Sequence, residues 1–251
     1  MPLNKVLYGY LWIAPHVLQI VLALLMIRRK LVREFPVFFA YTIFEIFQFL
    51  VLFALMNLNF MKLYAVLYYG GEAVSAALRF AIIYEIVSNV LRNYSSLRRV
   101  KHSLFHWATA GLMILAVFIV AYTPSMQTDS MVVIQNVVDR TISIIQCGLL
   151  LLLLGLSRFL KFSYKSYAFG IALGLGIYDT LKLLDWGLAD RFGSLETSDW
   201  FNMTVMAAYH CAVLFWVVAL LLPQTEQIRI PEVPSSALEQ WNSTLERFLQ
   251  S

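Results

Sequence analysis

Ionisable residues set inside stretches apolar enough to cross a bilayer constrain this chain more than any other feature. Seven such stretches run at approximately 6–27, 36–56, 63–91, 103–123, 131–156, 166–188 and 200–222, and Glu45, Glu72, Arg79, Asp139, Arg140, Asp179 and Lys182 fall within them. A spanning helix needs about 20 predominantly apolar residues. A charge at its centre costs roughly 2.5–3.5 kcal/mol on insertion scales, so it faces a partner or a wet cavity rather than lipid. The expected fold is an all-α integral membrane protein, a seven-transmembrane-helix bundle formed by residues 1–223. Residues 224–251 follow as a cytoplasmic linker and a short amphipathic tail helix.

Composition excludes the main alternative. Hydrophobic residues make up 60% and charged residues 14% of the chain, against about 45–50% and 25% in soluble domains. An ordinary soluble enzyme is therefore ruled out. The net charge of +4 does not point to nucleic acid, because the basic residues stand in short runs beside apolar stretches, where cytoplasmic anchors belong. Cys147 and Cys211 lie within apolar stretches, so neither a structural disulfide nor a zinc-finger spacing is expected. The first apolar run has no small-residue cleavage site and leads into Arg28, Arg29 and Lys30, which marks an uncleaved span rather than a signal peptide.

The joints set the expected orientation. Arg28, Arg29, Lys30 and Arg33 follow span one; Arg92, Arg98, Arg99 and Lys101 follow span three; Arg158, Lys161 and Lys165 follow span five. The alternate joints hold only Lys62 and Arg191, with Lys5 at the start. The positive-inside bias then places the amino terminus outside and the carboxyl terminus in the cytoplasm, in a plasma or inner membrane. Asn93-Tyr94-Ser95 and Asn242-Ser243-Thr244 match the glycosylation pattern but would face the cytoplasm, so chance is the preferred explanation. In the tail, Ser236 and Glu239 have capping-box spacing, ahead of a stripe of Leu238, Trp241, Leu245, Phe248 and Leu249. That stripe would dock beneath the bundle, on the membrane face or on a protein partner.

Ala73–Val87 and Thr204–Val218 align without gaps, sharing two valines and three alanines and setting Arg79 on His210. Spans one and five set Gln19 on Gln146, while spans two and six set Glu45 on Asp179 and Gln48 on Lys182. The order suggests a 3+1+3 internal parallel repeat with span four as linker. Chance coincidence of small apolar residues is the competing explanation.

Helical spacing groups the polar residues into faces. Tyr41, Thr42, Glu45 and Gln48 form one stripe, and Glu72, Ser75 and Arg79 a second. Asp139, Arg140, Ser143 and Gln146 form a third, and Asp179, Lys182 and Asp185 a fourth. Trp12, His16 and Gln19 stand beside Pro15, and Asn202, Tyr209 and His210 lie in span seven. Together they imply a polar chamber in the outer half of the bundle. Mutual neutralisation that merely staples the helices is the bland alternative. Against it, the acids, with Glu85 among them, outnumber the bases, so some carboxyls are expected to carry a proton.

The candidate ligand- or ion-binding residues are Glu45, Glu72, Arg79, Asp139, Arg140, Asp179, Lys182, His16 and His210. No zinc-ligand pair such as H-E-x-x-H occurs, and neither a metal nor a cofactor is expected. Span seven lacks the lysine of a retinal site, and no Gly-x-Ser-x-Gly or other nucleophile signature is present. The residues point to a small-solute or proton-coupled transporter of permease type rather than an enzyme. Its partners would be the lipid bilayer and a small polar or charged ligand. The rival is a seven-helix sensor signalling through a separate cytoplasmic protein at residues 234–251.

Overall fold

The computed structural model describes residues 2–91, 107, 109–111, 114, 130–159, 167–192 and 199–222. Six long helices account for nearly all of them: α1 (Pro2–Arg28), α2 (Pro36–Asn57), α3 (Met61–Leu91), α4 (Ser130–Phe159), α5 (Tyr167–Phe192) and α6 (Asp199–Leu221), with a 3-10 turn at Leu31–Arg33. They correspond to spans one, two, three, five, six and seven, and no strand occurs among the described residues. Most of span four and the segment 223–251 lie outside the described residues, as do the side chains of Asp139, Asp185 and Asn202.

Five stretches are long and apolar enough to cross a membrane: Val6–Arg28, Pro36–Asn57, Met61–Asn89, Tyr167–Leu184 and Met203–Leu221. In α4 the stretch whose side chains are described, Arg140–Gly155, is apolar as well. Outward faces are apolar too. Ile13, Val17, Ile20, Leu24 and Ile27 of α1 are exposed, whereas Gln19 on its inner face is fully buried. Contiguous exposed apolar surface of this extent is foreign to a soluble monomer and natural against lipid.

The joints explain where the helices stop. After α1, Lys30 takes a left-handed φ of 59°, and Pro36 opens α2, where its missing N–H costs nothing. α2 ends in a Schellman turn: Asn59 has φ 58°, the Phe60 amide returns to Leu55 O at 3.1 Å and the Asn59 amide to Met56 O at 3.2 Å, satisfying carbonyls the helix leaves open.

The start of α2 is closed by a different helix. Glu85 of α3 accepts from the Val37 and Phe38 amides, and Asn89 Nδ2 donates to Glu34 O at 2.8 Å. At the same end Arg29 donates through Nη2 to Leu221 O at 2.9 Å, and through Nη1 to Leu222 O at 3.3 Å and the Tyr167 hydroxyl at 2.7 Å. A cation on the last carbonyls of α6 also suits the helix dipole. The carboxyl ends of α1, α3 and α6 and the amino ends of α2 and α5 thus meet at one basic end. α4 runs antiparallel to α5, since Gln146 faces Asp179 while Leu150 packs near Gly176.

Laterally, α1, α2, α3, α5 and α6 close a ring in that order, and α4 packs against α3 and α5. The tightest seam is α5 on α6, built on Gly170 and Gly174. A Cβ at Gly170 would stand 2.8 Å from that of Ala219, and one at Gly174 would overlap the Trp216 indole. Small residues one turn apart let the backbones approach, so that Trp216 Nε1 reaches Ile171 O at 3.1 Å.

Packing is graded along the axis. Leu22, Met26, Phe38, Tyr41, Ile82, Ile83, Ile86, Leu149, Ile171, Val213, Trp216 and Leu220 form one core in the half nearer the basic end. By contrast, no residue of 61–74 in α3 is buried, while Ser75, Ala76, Arg79, Ile82 and Ile83 beyond them are. Among the described residues, the apolar plug lies at the basic end, and the far turns of α3 are the loosely packed ones.

Candidate functional site

Directly above the apolar plug the interior turns polar. At about 1.5 Å per residue, Glu45, Gln19, His16, Arg79, Tyr209, Asp179 and Lys182 stand roughly 14–22 Å from the basic end. That is the middle of a hydrocarbon layer about 30 Å thick. Glu72 lies further along, on the loose part of α3.

Tyr178 of α5 is the centre of the cationic part. Arg79 of α3 places its guanidinium carbon 5.3 Å from the Tyr178 ring centroid, and Lys182 places Nζ at 5.8 Å. Both are cation–π distances. Arg79 is 2% exposed and Lys182 6%, so neither charge has been left to lipid or bulk water. Asp179 and Glu72 lie within electrostatic reach of Arg79. The Asp179 carboxylate is fully buried. With the Gln146 amide turned nitrogen-first, it accepts at Oδ1 from 3.1 Å and at Oδ2 from 3.2 Å; the reverse orientation would set oxygen against oxygen. Arg79 Nε is buried with no hydrogen-bond partner among the described residues.

Glu45 organises the second part. Ser75 Oγ donates to Glu45 Oε1 at 2.5 Å, and the Tyr209 hydroxyl donates to Oε2 at 3.4 Å. Tyr209 in turn accepts from Gln19 Nε2 at 2.5 Å, and Gln19 Oε1 lies 3.0 Å from His16 Nδ1. The His16 ring stacks on Phe49, centroids 4.0 Å apart at 16°. Tyr209 also meets Tyr178 edge to face at 5.5 Å, which joins the two parts. One network therefore links α1, α2, α3, α5 and α6.

The nine residues singled out from sequence fall into groups. Glu45, Glu72, Arg79, Asp179, Lys182 and His16 are brought together. His210 is set apart, half-buried on α6 with Nε2 3.4 Å from the Tyr10 hydroxyl. Arg140 is half-buried on α4, and Asp139 falls among the undescribed side chains. Glu85 leaves the surplus of acids, because it is spent on the amino terminus of α2. Sequence reasoning missed Tyr178; its place beside Asp179 in mid-span was the available signal. Among the described residues, no three His, Cys, Asp or Glu side chains gather as a metal site would require.

Compared with known proteins, the chain matches no family model, no curated protein and no solved structure.

Proposed function

We propose that the chain is a small-solute permease of the plasma or inner membrane, coupled to protons and loaded from the end opposite the basic one. The observation that carries this reading is Arg79. A guanidinium sealed in mid-bundle with an open donor, an aromatic platform and carboxyls around it is a prepared polar subsite, because a buried donor left unsatisfied costs roughly 1–3 kcal/mol. Stapling alone would have used that donor. The plug at the basic end and the loose outer turns of α3 support entry from the other side.

The finer topology belongs to the same reading. α3 finishes at the basic end and α4 starts at the opposite one, which supports a crossing between them; stretch 103–123 is the span we assign to it, giving seven. The basic joints then put the amino terminus outside. Helix adjacency agrees with a 3+1+3 repeat: α1–α2 matches α4–α5, α2–α3 matches α5–α6, and α6–α1 matches α3–α4. Gln19 and Gln146, aligned in that register, are both fully buried, and each donates toward an acidic group or the hydroxyl bound to one.

The test is uptake into proteoliposomes loaded with a pH-reporting dye, challenged with a panel of small amino acids, carboxylates and amines. At least one class should drive proton movement in the wild type, and Arg79→Gln should abolish it while still inserting and eluting as a folded species. No solute-driven proton movement in the wild type, or Arg79→Gln protein that folds and transports normally, would reject the reading.

A further inference from the structure

We infer that Glu45 is the carboxyl that takes up and releases the chamber's proton, and that the Tyr209 hydroxyl passes its state to α1 and α6. This deepens the permease reading and depends on it for its biological meaning, but its chemistry stands on the geometry of Glu45 itself.

The argument is about which partners tolerate both protonation states. Among the described residues, both oxygens of Glu45 are met by hydroxyls, Ser75 at Oε1 and Tyr209 at Oε2. A hydroxyl carries one donor and two acceptor lone pairs and can rotate. It can give a hydrogen bond to a carboxylate and accept one from a carboxylic acid without moving the backbone. Asp179 is held differently, by the Gln146 amide and by the guanidinium of Arg79, a fixed positive charge nearby that favours the anion. Glu72 sits on the part of α3 where no residue is buried. Glu45 is the carboxyl whose two oxygens both meet groups able to reverse their hydrogen bonds.

The proton step balances simply. A proton bonds to Glu45 Oε2, the carboxylate becomes a neutral acid, and its new O–H donates to the Tyr209 oxygen. The Tyr209 hydrogen, displaced from Glu45, swings to the Tyr41 hydroxyl beside it, a pairing already within reach. Release reverses each move.

Every packed element presents a group to this switch. α2 gives Tyr41; α3 gives Glu72 and Arg79, which act on Glu45 with opposite sign; α6 gives Tyr209; α5 gives Tyr178 through the Tyr209 ring; α1 gives His16 through Gln19. Because Tyr209 belongs to α6 and is held by Gln19 of α1, a change in its donor direction is felt at the α1–α6 seam.

The experiment is infrared titration of the full-length protein in lipid vesicles, following the carbonyl stretch of protonated carboxyls in ordinary and heavy water. A band should grow as pH falls, vanish in Glu45→Gln, and persist in Asp179→Asn and Glu72→Gln. Tyr209→Phe should move both its frequency and its midpoint, and should erase any pH dependence of amide exchange around Gln19 and Tyr209. Absence of a titrating band overturns the assignment, as does a band that survives Glu45→Gln or is lost in Asp179→Asn or Glu72→Gln. Should Glu45→Gln fail to fold, Ser75→Ala and Tyr209→Phe decide: both must shift the band, and no shift in either overturns the proposal. A normal titration in vesicles that move no solute rejects the permease reading and leaves the proton site standing.

Discussion

Glu85 of α3 and Phe38 of α2 are joined by a hydrogen bond that ends one helix with the side chain of another: the Phe38 amide donates to Glu85 Oε2 at 3.1 Å, and the adjacent Val37 amide to Oε1 at 2.9 Å. The first amides of a helix have no partners of their own, and Pro36 has removed one of them from the problem. The carboxylate satisfies two of the others while lying against the positive end of the dipole.

Removing that cap should therefore loosen the α2–α3 pair specifically. Hydrogen bonds to charged groups contribute about 1.5–3 kcal/mol, so Glu85→Ala is expected to lower unfolding stability by at least that much. Glu85→Gln, which keeps one acceptor and loses the charge, should lose about half. Unfolding in mixed micelles followed by circular dichroism measures both. Equal stability of Glu85→Ala and wild type would show the cap to be idle.

Much of this was legible in the sequence, and the reasons are physical. Apolar length announced the helices, because the bilayer sets one dimension for all of them. Mid-span charges announced the polar interior, because lipid does not tolerate them. Partner choice was not legible, because it depends on how helices rotate against one another. Glu85 and Glu45 look alike as acids in apolar runs, yet one caps a helix and the other enters the network. Tyr178 was hard to read for the same reason: its place beside Asp179 marked it as a neighbour of the polar interior, but not whether its ring would face lipid or two cations. The GxxxG spacing of Gly170 and Gly174 was readable, but its partner Trp216 was not.

Gly174 gives the sharpest steric test. A methyl there would occupy the space of the Trp216 indole, whose Nε1 is bonded to Ile171 O and whose ring meets Phe38 at 5.2 Å. Overpacking a close seam costs about 1–3 kcal/mol, so Gly174→Ala should destabilise and alter tryptophan fluorescence. At Gly155, where a Cβ meets nothing within 4 Å, the same substitution should be neutral or mildly stabilising, since alanine favours helix by about 1 kcal/mol over glycine. A larger loss at Gly155 than at Gly174 would contradict the packing described.

Arg29 should prove irreplaceable by lysine. Its two nitrogens reach Leu221 O, Leu222 O and the Tyr167 hydroxyl together, a spread that the forked guanidinium covers and a single ammonium does not. Arg29→Lys and Arg29→Ala are both expected to increase proteolysis and hydrogen exchange at the carboxyl end of α6 and the start of α5. The lysine variant should recover less than half of the protection. Full recovery by lysine would mean that charge alone, acting on the helix dipole, closes this end.

Arg79 and Asp179 supply the most demanding case, because stapling and ligand binding predict different non-additivity there. Both are buried and they interact electrostatically across α3 and α5. Removing one partner of a buried pair typically costs about 3–5 kcal/mol, since the other charge is stranded, while removing both is often close to neutral. Arg79→Gln and Asp179→Asn should each destabilise, and the double variant should recover a large part of the combined loss. Stability is then restored by the second change whereas solute-driven proton movement is not, because Arg79, the donor proposed to meet the solute, is gone in both. If the double variant recovers transport along with stability, the guanidinium has served only to balance Asp179, and the open donor on Arg79 is not where a solute binds.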